Sequence, residues 1–123
     1  MGLTMNLNKI KISNNATLKL RILKSRTGLT PNILCRIGFC LSLNEPGIPD
    51  TSQLEEDGME FNRYTLTGEF DTLFVSLLKE RCIQDEIVIN KHINRQFVAH
   101  LNRGVLLMYN RIKKLSDLKN IIN

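Results

Sequence analysis

The spacing of apolar positions changes character within the first third of the chain. At residues 9–12 lysines and isoleucines alternate, which predicts a short strand over Asn8–Ser13 with one charged and one apolar face. Further along, apolar or small residues recur at intervals of four, three and four, which is the spacing of a helix face. We therefore predict a helix from about Asn15 to Thr27. Its inward positions are Ala16, Leu20, Leu23 and Thr27, and Leu18 and Ile22 widen the same face.

Start and stop signals favour this helix over a second strand. Thr17–Ile22 also alternates, so an extended conformation is the competing interpretation. The alternation breaks at Leu23, however, and Ser13 or Asn14 offers a side-chain oxygen that can cap a helix. Gly28 stands where a left-handed residue ends a helix. We therefore prefer the helix.

A second helix follows directly. Thr30 is a suitable N-cap, and Pro31 lies at the first helical position, where its missing N–H is not needed. The segment ends at Asn44–Gly47 and is apolar on nearly every side, which predicts a buried helix. Its apolar residues are Ile33, Leu34, Ile37, Phe39, Cys40, Leu41 and Leu43. The order strand, helix, helix therefore occupies residues 8–45.

An acidic loop at residues 46–63 separates this core from a mostly helical remainder at residues 64–123. Within the remainder, Tyr64–Thr67 is strand-like and is the internal candidate to pair with the first strand. The alternative partner is the same strand of a second copy, which would form a dimer. Both alternatives satisfy the backbone of the first strand, and the sequence does not choose between them.

Two longer helices are predicted in the remainder. One runs from Asp71, its candidate cap, to about Gln84, and the candidates for its inward face are Leu73, Leu77 and Leu78, with Phe74 or Val75 beside them. The other runs from Ile89 or Asn90 to Ile112 and contains Gly104. A glycine inside a helix costs about 1 kcal/mol relative to alanine, so this one indicates close packing or a bend. At 123 residues the whole chain is expected to be one domain.

Charge is strongly segregated along the chain. Residues 1–44 carry seven bases and no acid (+7), residues 45–80 nine acids and two bases (−7), and residues 81–123 eight bases and three acids (+5). Unpaired cations repel one another unless a polyanion binds, and nucleic acid is the obvious polyanion. Aromatic residues are sparse nearby, which favours phosphate contact over base stacking. The predicted DNA contacts are Lys9, Lys11, Lys19, Arg21, Lys24 and Arg26.

Other chemistry finds little support in the sequence. It contains no phosphate-binding glycine loop, zinc-finger spacing or EF-hand spacing. His92 and His100 are two helical turns apart, too far for joint metal binding, and each is expected at the surface or its boundary. The sequence shows an odd number of cysteines, no export signal and no long apolar run, so we expect a cytoplasmic protein without disulfides or membrane contact. We predict no catalytic residue, metal or cofactor.

The run LKSRTGLTPNILCR at residues 23–36 and the run CLSLNEPG at residues 40–47 closely resemble the DndE family, the E proteins of bacterial DNA phosphorothioation systems. The resemblance implies a mainly α fold, with a ribbon-helix-helix-like N-terminal core and additional C-terminal helices. It also implies a homo-oligomer, a dimer or a tetramer, that works with the other proteins of a DNA sulfur-modification complex. The implied role is binding to double-stranded DNA, with a preference for nicked duplex, without carrying out the sulfur chemistry.

The resemblance reaches only some of the candidate residues. Lys9 and Lys11 depend on the charge argument alone. Arg36 lies within the matching motif, but a structural hydrogen bond or a salt bridge between subunits explains it as well as DNA contact. The cations that match basic residues of the family are Lys19, Arg21, Lys24 and Arg26.

The function predicted from the sequence is a non-catalytic DNA-binding subunit of a phosphorothioation complex. The main alternative is an interaction scaffold, whose basic face docks acidic partner proteins of the same complex without binding DNA. A nuclease or ligase-like enzyme that uses the acidic loop with a metal is a weaker third hypothesis. The sequence leaves open whether the C-terminal cluster of Arg111, Lys113 and Lys114 also contacts DNA.

Overall fold

The computed structural model of the protein describes residues 7–122. Helices dominate it, which confirms the mainly α class. The elements are β1 (Lys9–Lys11), α1 (Asn14–Thr27), α2 (Pro31–Asn44), β2 (Glu60–Asn62), α3 (Arg63–Thr67), α4 (Asp71–Gln84), α5 (Ile89–Arg111) and α6 (Leu118–Ile122). Short 3₁₀ turns precede α4 and α6. Within residues 7–122, none of these helices combines the length and the apolar character needed to cross a membrane.

The strand–helix–helix order of the N-terminal core is confirmed. Ser13 caps α1 by accepting a hydrogen bond from the Ala16 N–H at 3.0 Å. Gly28 ends α1 in the left-handed conformation, at φ 75°, which costs a glycine little. Thr30 then caps α2, whose first residue is the proline. Capping residues close in sequence therefore determine where both helices begin and where α1 ends.

The first strand pairs within the chain. β1 and β2 form an antiparallel two-stranded ribbon, and the N–H of Ile12 extends it by donating to the Met59 carbonyl at 3.1 Å. The apolar face of the ribbon is buried against the helices, and the charged face is exposed. The opposed residues are Lys9 and Asn62, Ile10 and Phe61, and Lys11 and Glu60.

The prediction of a strand at Tyr64–Thr67 is wrong, because this segment is helical and belongs to α3. The Asn62 side chain accepts hydrogen bonds from the N–H groups of Tyr64 and Thr65, at 3.0 and 3.1 Å, and so starts a helix there. The partner of β1 lies instead inside the stretch predicted to be an acidic loop. A three-residue strand leaves too short an alternation to stand out in the sequence.

α5 crosses α2 at the centre of the fold, where two glycines face each other. A Cβ atom on Gly104 would overlap the backbone of Gly38, and one on Gly38 would lie 3.0 Å from the Gly104 carbonyl carbon. The expectation that Gly104 marks close packing is therefore confirmed. Beside this crossing, the Phe39 ring packs on Phe97 with centroids 5.0 Å apart. The crossing anchors the core between the two helices.

Several apolar side chains that the sequence places inside are exposed. The inward face of α1 is narrower than predicted, and α2 is covered on only part of its circumference. Helical spacing shows which side chains share a side of a helix, but not how far neighbouring elements extend over that side. The exposed residues are Leu18 and Ile22 of α1, Ile33 and Cys40 of α2, and Leu73 and Leu77 of α4.

His100, expected near the surface, is buried within residues 96–101 of α5, where every residue is buried. Its Nδ1 atom lies 2.8 Å from Ser42 Oγ, which also accepts a hydrogen bond from Arg103 Nε at 2.8 Å. Because a guanidinium can only donate, the hydroxyl hydrogen of Ser42 is left for the imidazole. Burial, together with the nearby charges of Arg103 and Arg81, lowers the pKa of His100 to about 3. The imidazole is therefore neutral.

Candidate nucleic-acid interface

The six predicted DNA contacts lie at the surface on β1 and α1. Within residues 7–122, none of them forms an ion pair with a carboxylate. The acidic middle of the chain therefore does not neutralise them there. Ion pairs in the same range join Arg63 to Asp71, Arg81 to Asp85 and Arg111 to Glu45.

The four cations of α1 form two pairs on opposite flanks of the helix. At roughly 100° per residue, Lys19 and Arg26 fall on one flank, and Arg21 and Lys24 fall on the other. The buried face lies between the flanks on one side, and an exposed ridge that includes Ile22 lies between them on the other. The structure therefore does not place all four charges on one narrow stripe.

The lysines of β1 have different neighbours across the ribbon. Lys9 lies opposite the neutral Asn62, whereas Lys11 lies directly opposite Glu60. Residues opposed in this way have Cβ atoms only about 4.5–5.5 Å apart. The carboxylate of Glu60 therefore reduces the local positive potential at Lys11 without a direct ion pair. Lys9 is the stronger candidate of the two for contact with an anion.

Three cations converge on the ring of Tyr109, two from α1 and one from the segment just after α5. Lys19 Nζ lies 5.1 Å from the ring centroid, Arg26 Cζ 4.9 Å and Lys113 Nζ 5.2 Å. Each cation–π contact at an exposed site is worth about 0.5–1 kcal/mol. Two unit charges about 7 Å apart in water repel each other by a similar amount, roughly 0.6 kcal/mol. Attraction to the ring is therefore of the same order as the repulsion between like charges at such a separation.

The end of α5 also holds these cations by hydrogen bonds. The Arg26 guanidinium donates to the carbonyl oxygens of Tyr109 and Ile112, at 3.4 and 3.3 Å. The Lys113 ammonium donates to the Tyr109 carbonyl at 3.2 Å. Carbonyls in the last turn of a helix lack helical partners and lie at the negative end of its dipole, so they attract cations. α1 and the end of α5 thus present one shared basic cluster.

Most other arginines serve the fold. Arg36 Nε donates to the Leu66 carbonyl at 2.6 Å. Of the interpretations proposed for Arg36 from the sequence, this contact is the structural hydrogen bond. Arg63 pairs with Asp71 at 2.8 Å, and its guanidinium holds the pKa of that carboxyl below its usual range. Residues that brace the bend after α2 by hydrogen bonds to backbone carbonyls are Arg81 and Arg103.

The acidic segment at residues 46–63 bonds partly to backbone groups. Asp57 accepts a hydrogen bond from the Asn14 N–H at 2.8 Å, at the start of α1, where a negative charge suits the helix dipole. Asp50 accepts from the N–H and hydroxyl of Ser52. Among residues 7–122, no group of three histidines, cysteines or acids is arranged to hold a metal ion.

The matched span of the chain decides its family. Residues 9–116 match the family described as DNA sulphur modification protein DndE. The chain belongs to the DndE family. The span includes the strand and both helices of the N-terminal core, so the family resemblance of residues 23–47 is confirmed. Among curated proteins, none matches this DndE-family chain.

Two solved DndE structures resemble the chain. The crystal structure of DndE from Escherichia coli B7A, involved in DNA phosphorothioation modification, is 26% identical with a TM-score of 0.70, and the match covers 85% of this chain and 98% of that one. A glycine-to-lysine double mutant of DndE, involved in DNA phosphorothioation, is 23% identical with a TM-score of 0.68, covering 85% and 99%. The second likeness concerns the fold alone. Family membership and the first likeness support involvement of the chain in DNA phosphorothioation.

The basic cluster includes residues that the sequence does not single out. Tyr109 is not among the predicted contacts, and Lys113 is left open with its neighbours in the C-terminal basic run. The sequence of this chain does contain a signal for their contact, because Tyr109 precedes Lys113 by four positions, about one helical turn. The sequence does not show that α1 lies beside the end of α5, and only that packing brings Arg26 to the ring.

Proposed function

We propose that the chain is a non-catalytic subunit of a DNA phosphorothioation complex that binds the phosphate backbone of double-stranded DNA through the cations of β1 and α1. The observation that carries this proposal is the absence, within residues 7–122, of any carboxylate paired with these cations. Such cations collect counterions, and their release when phosphates replace them drives binding. A preference for nicked duplex belongs to the same proposal and comes from the family resemblance.

Contact with phosphates accounts for the side chains better than base reading does. Four of the six proposed contacts are lysines, whose ammonium is a flexible point charge without the rigid planar fork of an arginine. Lys9 is the side chain most available on the exposed face of the ribbon, and its opposed neighbour is Asn62. We therefore propose binding with little sequence preference.

A triple substitution of α1 tests the interface. Replacing Lys19, Arg21 and Lys24 together by glutamine removes three charges, while Arg26 keeps its hydrogen bonds to backbone carbonyls. We expect affinity for a 20-base-pair duplex to fall on the order of 100-fold at physiological salt. The slope of log affinity against log salt should fall by about 2.7, because each lost phosphate contact removes about 0.9. Fluorescence anisotropy across a salt series, on intact and nicked duplexes, measures both.

The matched control removes the same charge elsewhere. Lys91, Lys114 and Lys119 are exposed, and their triple glutamine variant should bind within a few-fold of the unsubstituted protein. Thermal melting of both variants checks that the fold is kept. Equal weakening by the two triple variants would show that the charge acts diffusely, and the α1 assignment would be rejected.

One observation favours the interaction scaffold as a second candidate function. Leu18 and Ile22 are 49% and 41% exposed on the ridge between the two cation pairs of α1. An apolar ridge bordered by cations is complementary to a protein surface that is apolar at its centre and acidic at its rim. If neither duplex binds even at low salt, the scaffold replaces DNA binding as the proposal.

The non-catalytic role has its own test. Intact and nicked plasmids are incubated with the protein and magnesium or manganese, and their topology is followed on gels. We expect no change in either plasmid. A linear, relaxed or resealed product that disappears with chelator would overturn the proposal and favour an enzyme that uses the acidic segment.

We also propose that copies of the chain associate through the exposed strip of α4. Leu73 and Leu77 are 53% and 40% exposed and lie four residues apart on one side of α4, and Phe70, which is 46% exposed, immediately precedes this helix. Leu77 and Cys40 of α2 line one groove between the two helices. Contiguous exposed apolar surface of this kind is typical of protein interfaces. The homo-oligomer implied by the family resemblance supports the same proposal.

A further inference from the structure

We propose that Lys19, Arg26 and Lys113 form one phosphate-binding site around Tyr109, which extends the DNA-contacting surface from α1 onto the end of α5. This inference deepens the proposed function and rests on it. It also divides the C-terminal basic run, because it assigns phosphate contact to Lys113 and not to Arg111 or Lys114.

Geometry makes the three cations one site. Each lies 4.9–5.2 Å from the same ring centroid, so no two of them are more than about 10 Å apart. That span is comparable with the Debye length of about 8 Å at physiological ionic strength, so the charges act on the same anion. A phosphate bound beside the ring would accept charge-assisted hydrogen bonds from these cations and relieve their mutual repulsion.

The cations are held in place before any anion arrives. Lys19 Nζ donates to Asn15 Oδ1 at 2.7 Å, and Arg26 and Lys113 donate to carbonyls at the end of α5. These contacts reduce the side-chain entropy that binding would otherwise remove. Three cations lie over the ring of Tyr109, so we assign the ring to positioning charges and not to base stacking.

Asp117 stabilises the turn that carries Lys113. Asp117 accepts hydrogen bonds from the backbone N–H groups of Lys113 and Lys114, at 2.8 and 3.2 Å. These backbone bonds lower the pKa of Asp117. Within residues 7–122 its carboxylate forms no ion pair with the Lys113 ammonium. The turn thus fixes the position from which Lys113 reaches back to the ring.

The neighbours of Lys113 have other roles. Arg111 pairs with Glu45 at 3.2 Å, so its charge is compensated. Lys114 is exposed and is not among the cations at the Tyr109 ring. Lys113 and Lys114 are adjacent and carry the same charge. Comparing the substitution of one with that of the other therefore separates the effect of position from the effect of net charge.

The first arm of the test uses inorganic phosphate and does not require DNA. A Tyr64→Phe background leaves Tyr109 as the single tyrosine, and its ring signals are followed by NMR during titration with phosphate at constant ionic strength. We expect saturable shifts that Lys114→Gln preserves and Lys113→Gln abolishes. Shifts that do not saturate, or that survive in Lys113→Gln, would overturn the site.

The second arm measures duplex affinity at 150 mM salt. Lys113→Gln should weaken binding about 5-fold and lower the salt slope by about 0.9, the effect of one lost phosphate contact, whereas Lys114→Gln should change affinity less than 2-fold. Tyr109→Leu, which removes the ring and no charge, should also weaken binding. Equal effects of the two lysine variants would overturn this inference and leave the proposed function standing. Failure of the unsubstituted protein to bind duplex would reject the proposed function, and the phosphate arm would still decide the site.

Discussion

At the scale of single residues, His100 shows how a side chain is forced into its neutral form. It is fully buried, and its Nδ1 atom meets the Ser42 hydroxyl, while Arg103 approaches the same hydroxyl oxygen. A second proton would place a positive charge in the core beside the guanidinium groups of Arg103 and Arg81. Burial and these two charges therefore act in the same direction on its pKa.

This arrangement predicts a loss of stability in mildly acidic solution. The pKa of His100 is about 3 in the folded protein and about 6.5 in the unfolded chain, so between these values the unfolded chain binds more protons. Its contribution to stability is complete above pH 6.5 and falls below it. We expect the free energy of unfolding to be about 1.4 kcal/mol lower at pH 5.5 than at pH 7.5. Urea denaturation at the two pH values measures the difference.

The variant His100→Asn isolates this contribution. Its side-chain amide can replace Nδ1 in the bond to Ser42, and it does not titrate. The variant should be less stable at pH 7.5 and should lose little more at pH 5.5. If both proteins lose the same free energy between these pH values, the effect does not come from His100.

At the scale of elements, the crossing of α2 and α5 depends on two positions without side chains. A methyl group on Gly104 would occupy the space of the Gly38 carbonyl. Alanine normally favours a helix by about 1 kcal/mol over glycine, so any destabilisation by Gly104→Ala measures the crossing and not the helix. We expect a net loss of about 2 kcal/mol, typical of overpacking, measured by urea denaturation at pH 7.5.

A control at an exposed helical site separates local from tertiary effects. Ser25→Ala on α1 changes an exposed side chain and should alter stability by less than about 0.5 kcal/mol. If Gly104→Ala stabilises the protein as its helix propensity alone predicts, the close approach of the two helices would be contradicted.

Element bounds follow from local signals, and for that reason they are predictable here. Ser13, Gly28 and Pro31 determine where helices begin and end by bonds within a few residues. β2 is different, because its three residues become a strand only by pairing with β1, about 50 positions earlier. The exposure of Leu73 is likewise not determined by its sequence neighbours, since it depends on which distant elements cover α4. The missed strand β2 and the wrongly predicted burial of Leu73 both come from contacts between distant elements, which local signals do not show.

The candidate interface likewise has features that the sequence predicts and features that depend on the packing of distant segments. Segregated charge identifies the cations of β1 and α1, because an absence of nearby acids in the sequence can be read directly. Glu60 opposite Lys11 and Tyr109 beside Arg26 both depend on the packing of distant segments. The sequence therefore predicts which residues carry charge, and the structure shows which of those charges have neighbours.

At the scale of the whole molecule, association between copies would multiply the DNA contacts that we propose for a single chain. The net charge is +5 per chain, and the cations of one α1 lie on two flanks. A second copy doubles the number of cations available to one duplex, and linked binding surfaces can raise affinity about 10²- to 10⁴-fold. The exposed strip of α4 supplies an apolar surface through which we propose that copies associate.

Replacing Leu73 and Leu77 together by glutamine tests this arrangement. Glutamine removes apolar surface without changing the charge of the chain, so a change in DNA affinity cannot come from a lost cation. We expect light scattering to show a lower mass than for the unsubstituted protein, and anisotropy to show a lower salt slope because fewer phosphates are contacted per complex. Ile83→Gln is the control, since Ile83 is 60% exposed on a different side of α4 and should leave both quantities unchanged. An unsubstituted protein that scatters as a monomer, or a double variant with unchanged mass, would contradict association through this strip.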